Sequence, residues 1–328
     1  MLNSKILQIM KSLLVVIVLL IASPLFSQNH LRFLIFADLH YDMMPDGDNR
    51  LETILQAARK NKVSFIVNMG DLAAPIARYQ PLKDKLSQSS VPIYHIIGNH
   101  DTDHSGKQAF MDFYAMEKPF YYIDKGKFRF IFLDSNHYID KDGQTKDYYK
   151  RDYVHSKQIN RYSPEEMKWL ERSLQTQQTC LIFSHAPIND NYGEIINNVD
   201  IHKVITTAKA NGTAIAAVFG GHIHSDNYHV IDGVHYIQVN SASNIWGGTQ
   251  FTNTERFPAE VYKQYPALKY IIPYEDALYA TVDIYANGKV KIKGTKSNYI
   301  PPAPDPEKLK NKPYPCSARI LDRKFTYK

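Results

Sequence analysis

Apolar residues gather in five short runs along the chain, at positions 31–37, 63–69, 91–97, 180–184 and 214–219, and each run ends abruptly in polar residues. Short β-prone runs of this kind, bounded by turn-formers, predict strands buried on both faces, as in the central sheet of an α/β protein. Between them the spacing changes. Leu51, Ile54, Leu55 and Ala58 recur at helical intervals behind an Asp- and Gly-rich turn, with Asp48 placed as the N-cap. Residues 105–117 predict an aromatic-faced helix. At Ser163-Pro164-Glu165-Glu166 another helix opens: Ser163 caps, Pro164 fits the first helical position, and Glu166 completes a capping box. That helix is expected to reach about Leu174 and to turn Met167, Leu170 and Leu174 inward. A further helix over residues 201–210 ends at Asn211-Gly212. Residues 121–123 and 128–133 predict a strand pair turning at Lys125-Gly126, and Asn287-Gly288 joins a second pair over 278–285 and 290–292.

The 328 residues suffice for one large α/β domain. Residues 1–27 have the layout of a secretory signal peptide: Lys5 and Lys11, an apolar stretch at 13–22, Pro24, and a small residue, Ser27, before Gln28. The apolar stretch is short for a spanning helix. This places the protein outside the cytoplasm, periplasmic or secreted, with no membrane span after cleavage. The domain then occupies residues 28–294. Residues 295–328 are rich in Pro and Lys, with Pro301, Pro302, Pro304 and Pro306 close together, and predict a tail packed on the domain or extending from it.

Polar residues at the ends of the five runs carry the chemistry. They read Asp38-x-His40, Gly70-Asp71, Gly98-Asn99-His100-Asp101, His185 and Gly221-His222-x-His224. Strand carboxyl ends gather at one sheet edge, so five of them can deliver two Asp, one Asn and four His to one pocket. Carboxylate and amide oxygens with neutral imidazoles suit divalent Mn, Fe, Zn, Ni or Co. His222 and His224, two apart on an extended segment, would point to the same side.

The order and content of these motifs resemble the calcineurin-like metallophosphoesterases, over residues 31 to about 286. The resemblance implies a single domain of two β-layers flanked by helices, an αββα fold with two divalent metals at one sheet edge. It implies that Asp38, His40 and His224 hold the first metal, that Asn99, His185 and His222 hold the second, and that Asp71 bridges them. His100 then faces the substrate phosphate and Asp101 orients it. The implied activity is hydrolysis of a phosphomonoester, phosphodiester or nucleotide diphosphate bond by metal-activated hydroxide, on a small phosphorylated substrate, nucleotides included. Ala74 stands where purple acid phosphatases carry a tyrosine ligand, and the chain is too short for the C-terminal substrate domain of periplasmic 5′-nucleotidases. The likeness is to the small secreted phosphoesterases. Two alternatives share the fold: a polymer-directed phosphodiesterase or nuclease, and a catalytically silent metal-binding scaffold.

Charge and cysteines narrow these options. Loss of residues 1–27 removes two lysines and no acid, taking the net charge from +6 to +4, with no basic stripe to meet nucleic acid. Cys180 lies in an apolar run and Cys316 in the polar tail; neither has a His or Lys beside it in sequence, and a disulfide between them is not expected. Gly-rich phosphate loop, nucleophile elbow and dinucleotide fingerprint are all absent from the sequence. His104 and His137 lie near enough to the motifs to be considered for the pocket, whereas His229 and His235 belong to a hairpin. The segment between Asn136 and Tyr162 is long, with six Lys/Arg against four Asp and five interleaved tyrosines, a composition suited to a substrate lid or to a solvated loop.

Overall fold

Strand β1 (His30–Phe36) carries apolar residues on both faces. Leu31, Phe33 and Ile35 face one side, Leu34 and Phe36 face the other, and all five are buried. The computed structural model describes residues 29–156, 158–188 and 195–327, so the signal-peptide expectation for residues 1–27 lies outside the described residues. After β1 come α1 (Gly47–Lys60), β2 (Ile66–Asn68), α2 (Gln80–Ser87), β3 (Ile93–His95), α3 (Lys107–Tyr114), β4 (Tyr121–Lys125) and β5 (Phe128–Phe132). A small hairpin of β6 (His137–Ile139) and β7 (Thr145–Asp147) precedes α4 (Pro164–Ser173), β8 (Thr179–Ser184), α5 (Asn198–Ala210) and β9 (Ile215–Gly220). The chain closes with β10 (Asn227–Ile231), β11 (Val234–Gln238), β12 (Asn244–Trp246), α6 (Ala259–Gln264), β13 (Ile271–Pro273), β14 (Ala280–Tyr285), β15 (Lys289–Lys293), α7 (Pro306–Lys310) and β16 (Arg323–Thr326).

Two six-stranded sheets result, ordered β16-β15-β14-β1-β2-β3 and β10-β11-β9-β8-β5-β4. In the first, β1, β2 and β3 run parallel; in the second, β5, β8, β9 and β11 do. Phe33, Phe65, Phe130, Phe183 and Phe219 interlock between the sheets, with Phe33 edge-on to Phe130 at 5.6 Å between ring centres. Leu51, Ile54 and Leu82 cover the outer face of the first sheet, and Leu170, Leu174, Ile201 and Ile205 that of the second. This is a single α/β domain of two β-layers flanked by helices, the architecture the sequence resemblance implies.

Local signals and tertiary contacts part company in three places. Helix α1 starts at Gly47, so Asp48 sits in its first turn and pairs with Lys85 at 2.5 Å instead of capping. Ser163 does cap α4, accepting from the Glu166 amide at 3.1 Å, but the Glu166 carboxylate turns away to accept from the Asp134 amide at 2.8 Å. The segment after Gly294 adds β16 to the edge of the first sheet, while Arg323 reaches Asp226 beyond the second at 2.8 Å. That segment thereby ties the two sheets together. The stretch from 136 to 162 is held as well: Tyr148 and Tyr162 are fully buried, and Lys107 pins β7 through Asp147 at 2.7 Å. Among the described residues, no helix is long and apolar enough to cross a membrane.

Candidate metal centre

The carboxyl ends of β1, β2 and β3 from one sheet and of β8 and β9 from the other meet at one edge of the sandwich. All seven proposed ligands come together there in two donor groups, Asp38 with His40 and His224, and Asp71 with His185 and His222. Asn99 joins the second, its Oδ1 3.1 Å from His185 Nε2. Within the first group His40 Nε2 lies 3.1 Å from His224 Nε2, which is 3.6 Å from Asp38 Oδ1. In the second, His222 Nδ1 lies 3.2 Å from His185 Nε2. One atom stands between the groups: Asp71 Oδ2, 3.8 Å from His40 Nε2 and 3.4 Å from His185 Nε2.

Turns of unusual backbone geometry make this convergence possible. Five of the seven residues, Asp38, His40, Asp71, His222 and His224, have φ between +46° and +71°, a region that side chains with a Cβ seldom adopt. His222 and His224 are therefore not two positions on an extended strand pointing alike; each sits in a left-handed turn and serves a different donor group. At Gly98 a Cβ would collide with the Asp71 amide and Oδ1, which is why glycine precedes Asn99. The His100 amide donates to Asp71 Oδ1 at 2.8 Å, leaving Oδ2 to face both groups.

The donor set fits divalent cations. Ligands about 2.0–2.2 Å from a metal in tetrahedral or octahedral geometry are roughly 3.0–3.5 Å apart, close to the separations found here. Tautomers agree with this. His185 Nδ1 donates to the Met69 carbonyl at 2.9 Å, and His224 Nδ1 to the Asn244 carbonyl at 2.9 Å, so each ring is held with Nε2 turned toward the other donors, the nitrogen left free to ligate. His185 Nε2 faces two oxygen acceptors, Asn99 Oδ1 and Asp71 Oδ2. Burial lowers its pKa but Asp71 raises it to about 10, so this position favours positive charge, a proton in the metal-free protein and a cation in its place when metal binds. Burial, opposed by Asp71, drives His40 well below its usual pKa and so favours the neutral, ligating imidazole. Burial opposes ionisation of Asp71, yet His185, His100 and His40 hold it well below the ordinary carboxylate range.

His100 lies beside the donors, its ring centre 5.3 Å from that of His40. Asp101 does not orient it. The Asp101 carboxylate is fully buried and accepts from the backbone amides of Gly98 at 2.8 Å, Asp71 at 3.0 Å, Leu72 at 2.9 Å and Ala73 at 3.2 Å. Three successive amides around a left-handed residue form an anion-binding nest, and Asp101 fills it, fixing the loop that carries Asp71. The partner of His100 is Asp103, whose Oδ2 accepts from Nδ1 at 2.9 Å while Oδ1 accepts from the Tyr153 hydroxyl at 2.7 Å. Burial lowers the His100 pKa, but Asp71 and Asp103 raise it to about 9. Cations on Asp71 would cancel its share of that rise and leave Asp103 as the supporting charge. Asp103 follows His100 by three residues on a 3-10 turn, a same-face spacing legible in the sequence. Nothing local pointed to Tyr153.

Other histidines fall elsewhere. His104 is exposed. His137 joins Asp134 and Asp147 in a third cluster of possible ligands, but Lys107 Nζ sits among them, 2.6 Å from Asp134, 2.7 Å from Asp147 and 3.1 Å from His137. The ammonium takes the place a cation would have. His235 stacks on Phe325. Both cysteines are free thiols. A hollow of about 1000 Å³ beside α4 and α5 is lined by none of the seven donors, which open instead into a cavity of about 200 Å³.

Residues 31–226 match the calcineurin-like phosphoesterase family, which is more than half of the chain, and the protein belongs to that family of phosphoesterase enzymes. Among solved structures, a dimetal phosphatase from Danio rerio is similar with a TM-score of 0.57 at 16% identity, covering 82% of this chain and 98% of that one. GAP50, the anchor in the inner membrane complex of Plasmodium, is similar with a TM-score of 0.51 at 12% identity, covering 84% of this chain and 86% of that one. At such identities the likeness shows the fold. No curated protein matches the sequence.

Proposed function

We propose that the protein is a two-metal hydrolase of small phosphate esters. The observation that carries this reading is the position of Asp71 Oδ2 between the two donor groups, 3.8 Å from one and 3.4 Å from the other. A carboxylate so placed suits cations about 3.5–4 Å apart, the spacing of two-metal hydrolase sites. Divalent cations held there would supply charge for the phosphoryl oxygens and lower the pKa of an attacking water. The chain's own residues do the rest. Asp101 holds the Asp71 loop in place; Asp103 fixes His100 Nδ1, so that Nε2 faces the cavity and delivers a proton to the departing oxygen.

The same fold serves as an anchor in GAP50, and a silent scaffold is the competing reading. A scaffold has no need of a fully assembled donor set with an oriented histidine beside it, which supports the enzyme. Elemental analysis of protein purified without chelator is expected to find about two divalent ions per chain, and Asp71→Asn to lose metal and turnover of phosphate esters together. A stoichiometry near zero after addition of Mn or Zn would overturn the reading.

A further inference from the structure

We infer that Trp246 and the segment from Lys312 to Cys316 form a leaving-group pocket for a flat heteroaromatic ring, so that the favoured ester is of the nucleoside 5′-phosphate type. This inference rests on the proposed phosphoesterase activity. The 200 Å³ cavity is shared: the same hollow is lined by the buried Asp71 and His224, by His100, and by Trp246, Lys312 and Tyr314. A group leaving a phosphate at the donors, on the side of His100, must leave into this space. Trp246 keeps 40% of its surface exposed, and its ring centre is 5.8 Å from that of His100 at a tilt of 34°. An indole that large, two-fifths uncovered in the wall of the cleft, is an apolar face awaiting a planar partner.

The wall is firm and its charge is apt. Trp246 lies on β12, paired to β13 opposite Ile271, and the adjacent Ile245 is 2% exposed. Lys312 Nζ donates to the Trp246 carbonyl at 2.8 Å, which uses one of its three N–H donors and brings an ammonium to the cavity. Among the described residues lining it, Asp71 is the sole acid. Both wall segments lie beyond residue 226, outside the residues that match the family. A sugar could also lie on an indole face; an electron-poor base stacks more strongly, and such stacking is sequence-tolerant toward the base.

The chain has two tryptophans, Trp169 and Trp246, so the Trp169→Phe protein reports on Trp246 alone. Adenosine, which has no phosphate to lose, is expected to quench its emission saturably, and ribose is not. In the manganese-loaded protein, Trp246→Ala is expected to lower the ratio of kcat/KM for adenosine 5′-phosphate to that for ribose 5-phosphate by roughly 5- to 150-fold. These two esters share the same alkoxide leaving group and differ in the ring. An unchanged ratio, no quenching by adenosine, or equal quenching by ribose overturns the ring pocket. Failure of both esters to turn over would count against the hydrolase reading, and the adenosine quench would still decide the pocket.

Discussion

Replacing Asp101 with Asn separates two roles that a carboxylate beside His100 might have. Both Asp101 oxygens are engaged in the buried loop: Oδ1 accepts from Leu72 and Ala73, Oδ2 from Asp71 and Gly98. Asparagine is nearly isosteric but turns one acceptor into an NH2 donor, so in either orientation two backbone N–H groups face a donor. Each buried donor left unsatisfied costs ~1–3 kcal/mol, giving ~2–6 kcal/mol for the pair. Removal of a buried negative charge next to Asp71 offsets part of this and favours the lower half of the range. Urea unfolding of the metal-free variant, compared with the parent at matched slope, measures the loss. The metal content after dialysis should fall too, because the nest holds Asp71 in its left-handed conformation at φ +52°. Should Asp101→Asn unfold within about 1 kcal/mol of the parent, keep both metals and lose only turnover, then Asp101 acts on His100 and the nest argument is wrong.

His100→Asn is expected to keep both metals and to slow turnover by ~10²–10⁴, with a smaller loss for a p-nitrophenyl ester, whose leaving group hardly needs a proton; an equal loss for good and poor leaving groups would count against the acid role. Tyr153→Phe removes the hydroxyl that donates to Asp103 at 2.7 Å, and since a hydrogen bond to a charged group contributes about 1.5–3 kcal/mol, kcat should drop by roughly 10- to 150-fold with metal content unchanged. Lys107→Met strips the cation from Asp134, Asp147 and His137, and should cost ~3–5 kcal/mol in urea unfolding because Lys107 and Asp134 are 5% and 1% exposed. A loss below about 1 kcal/mol would mean that water replaces the ammonium. Export through residues 1–27 predicts that protein recovered outside the cytoplasm begins near Gln28 on amino-terminal sequencing; Met1 retained in a membrane fraction would favour an uncleaved anchor.

Much of the candidate site was legible because its signals are local. An apolar run followed by Asp, His or Asn marks a strand end, and strand ends of parallel sheets share an edge, so the seven donors stood out as candidates, and their resemblance in order to the calcineurin-like motifs supplied the division of roles. The Ser163 cap and the Asn287-Gly288 turn were equally local, each fixed by the backbone needs of its own few residues. What the chain could not announce depends on which groups arrive from elsewhere. Glu166 has the spacing of a capping-box partner, yet the Asp134 amide, 32 residues earlier, claims its carboxylate. Asp101 stands next to His100 in sequence, but the backbone turns between them: it points into the amides around Asp71, and Asp103, one 3-10 turn on, faces the imidazole. The five tyrosines of the 136–162 segment looked alike as composition; the fold buries Tyr148 and Tyr162 and brings Tyr153 alone to Asp103. The C-terminal stretch read as a tail because of its clustered prolines and lysines, yet β16 pairs with β15 to complete a sheet, and Lys312, Tyr314 and Cys316 line the cavity of the donors. Residue type and spacing determined which chemistry this protein can hold. Long-range contacts decided which acid serves which histidine, since a side chain's partner is set by where the backbone sends both.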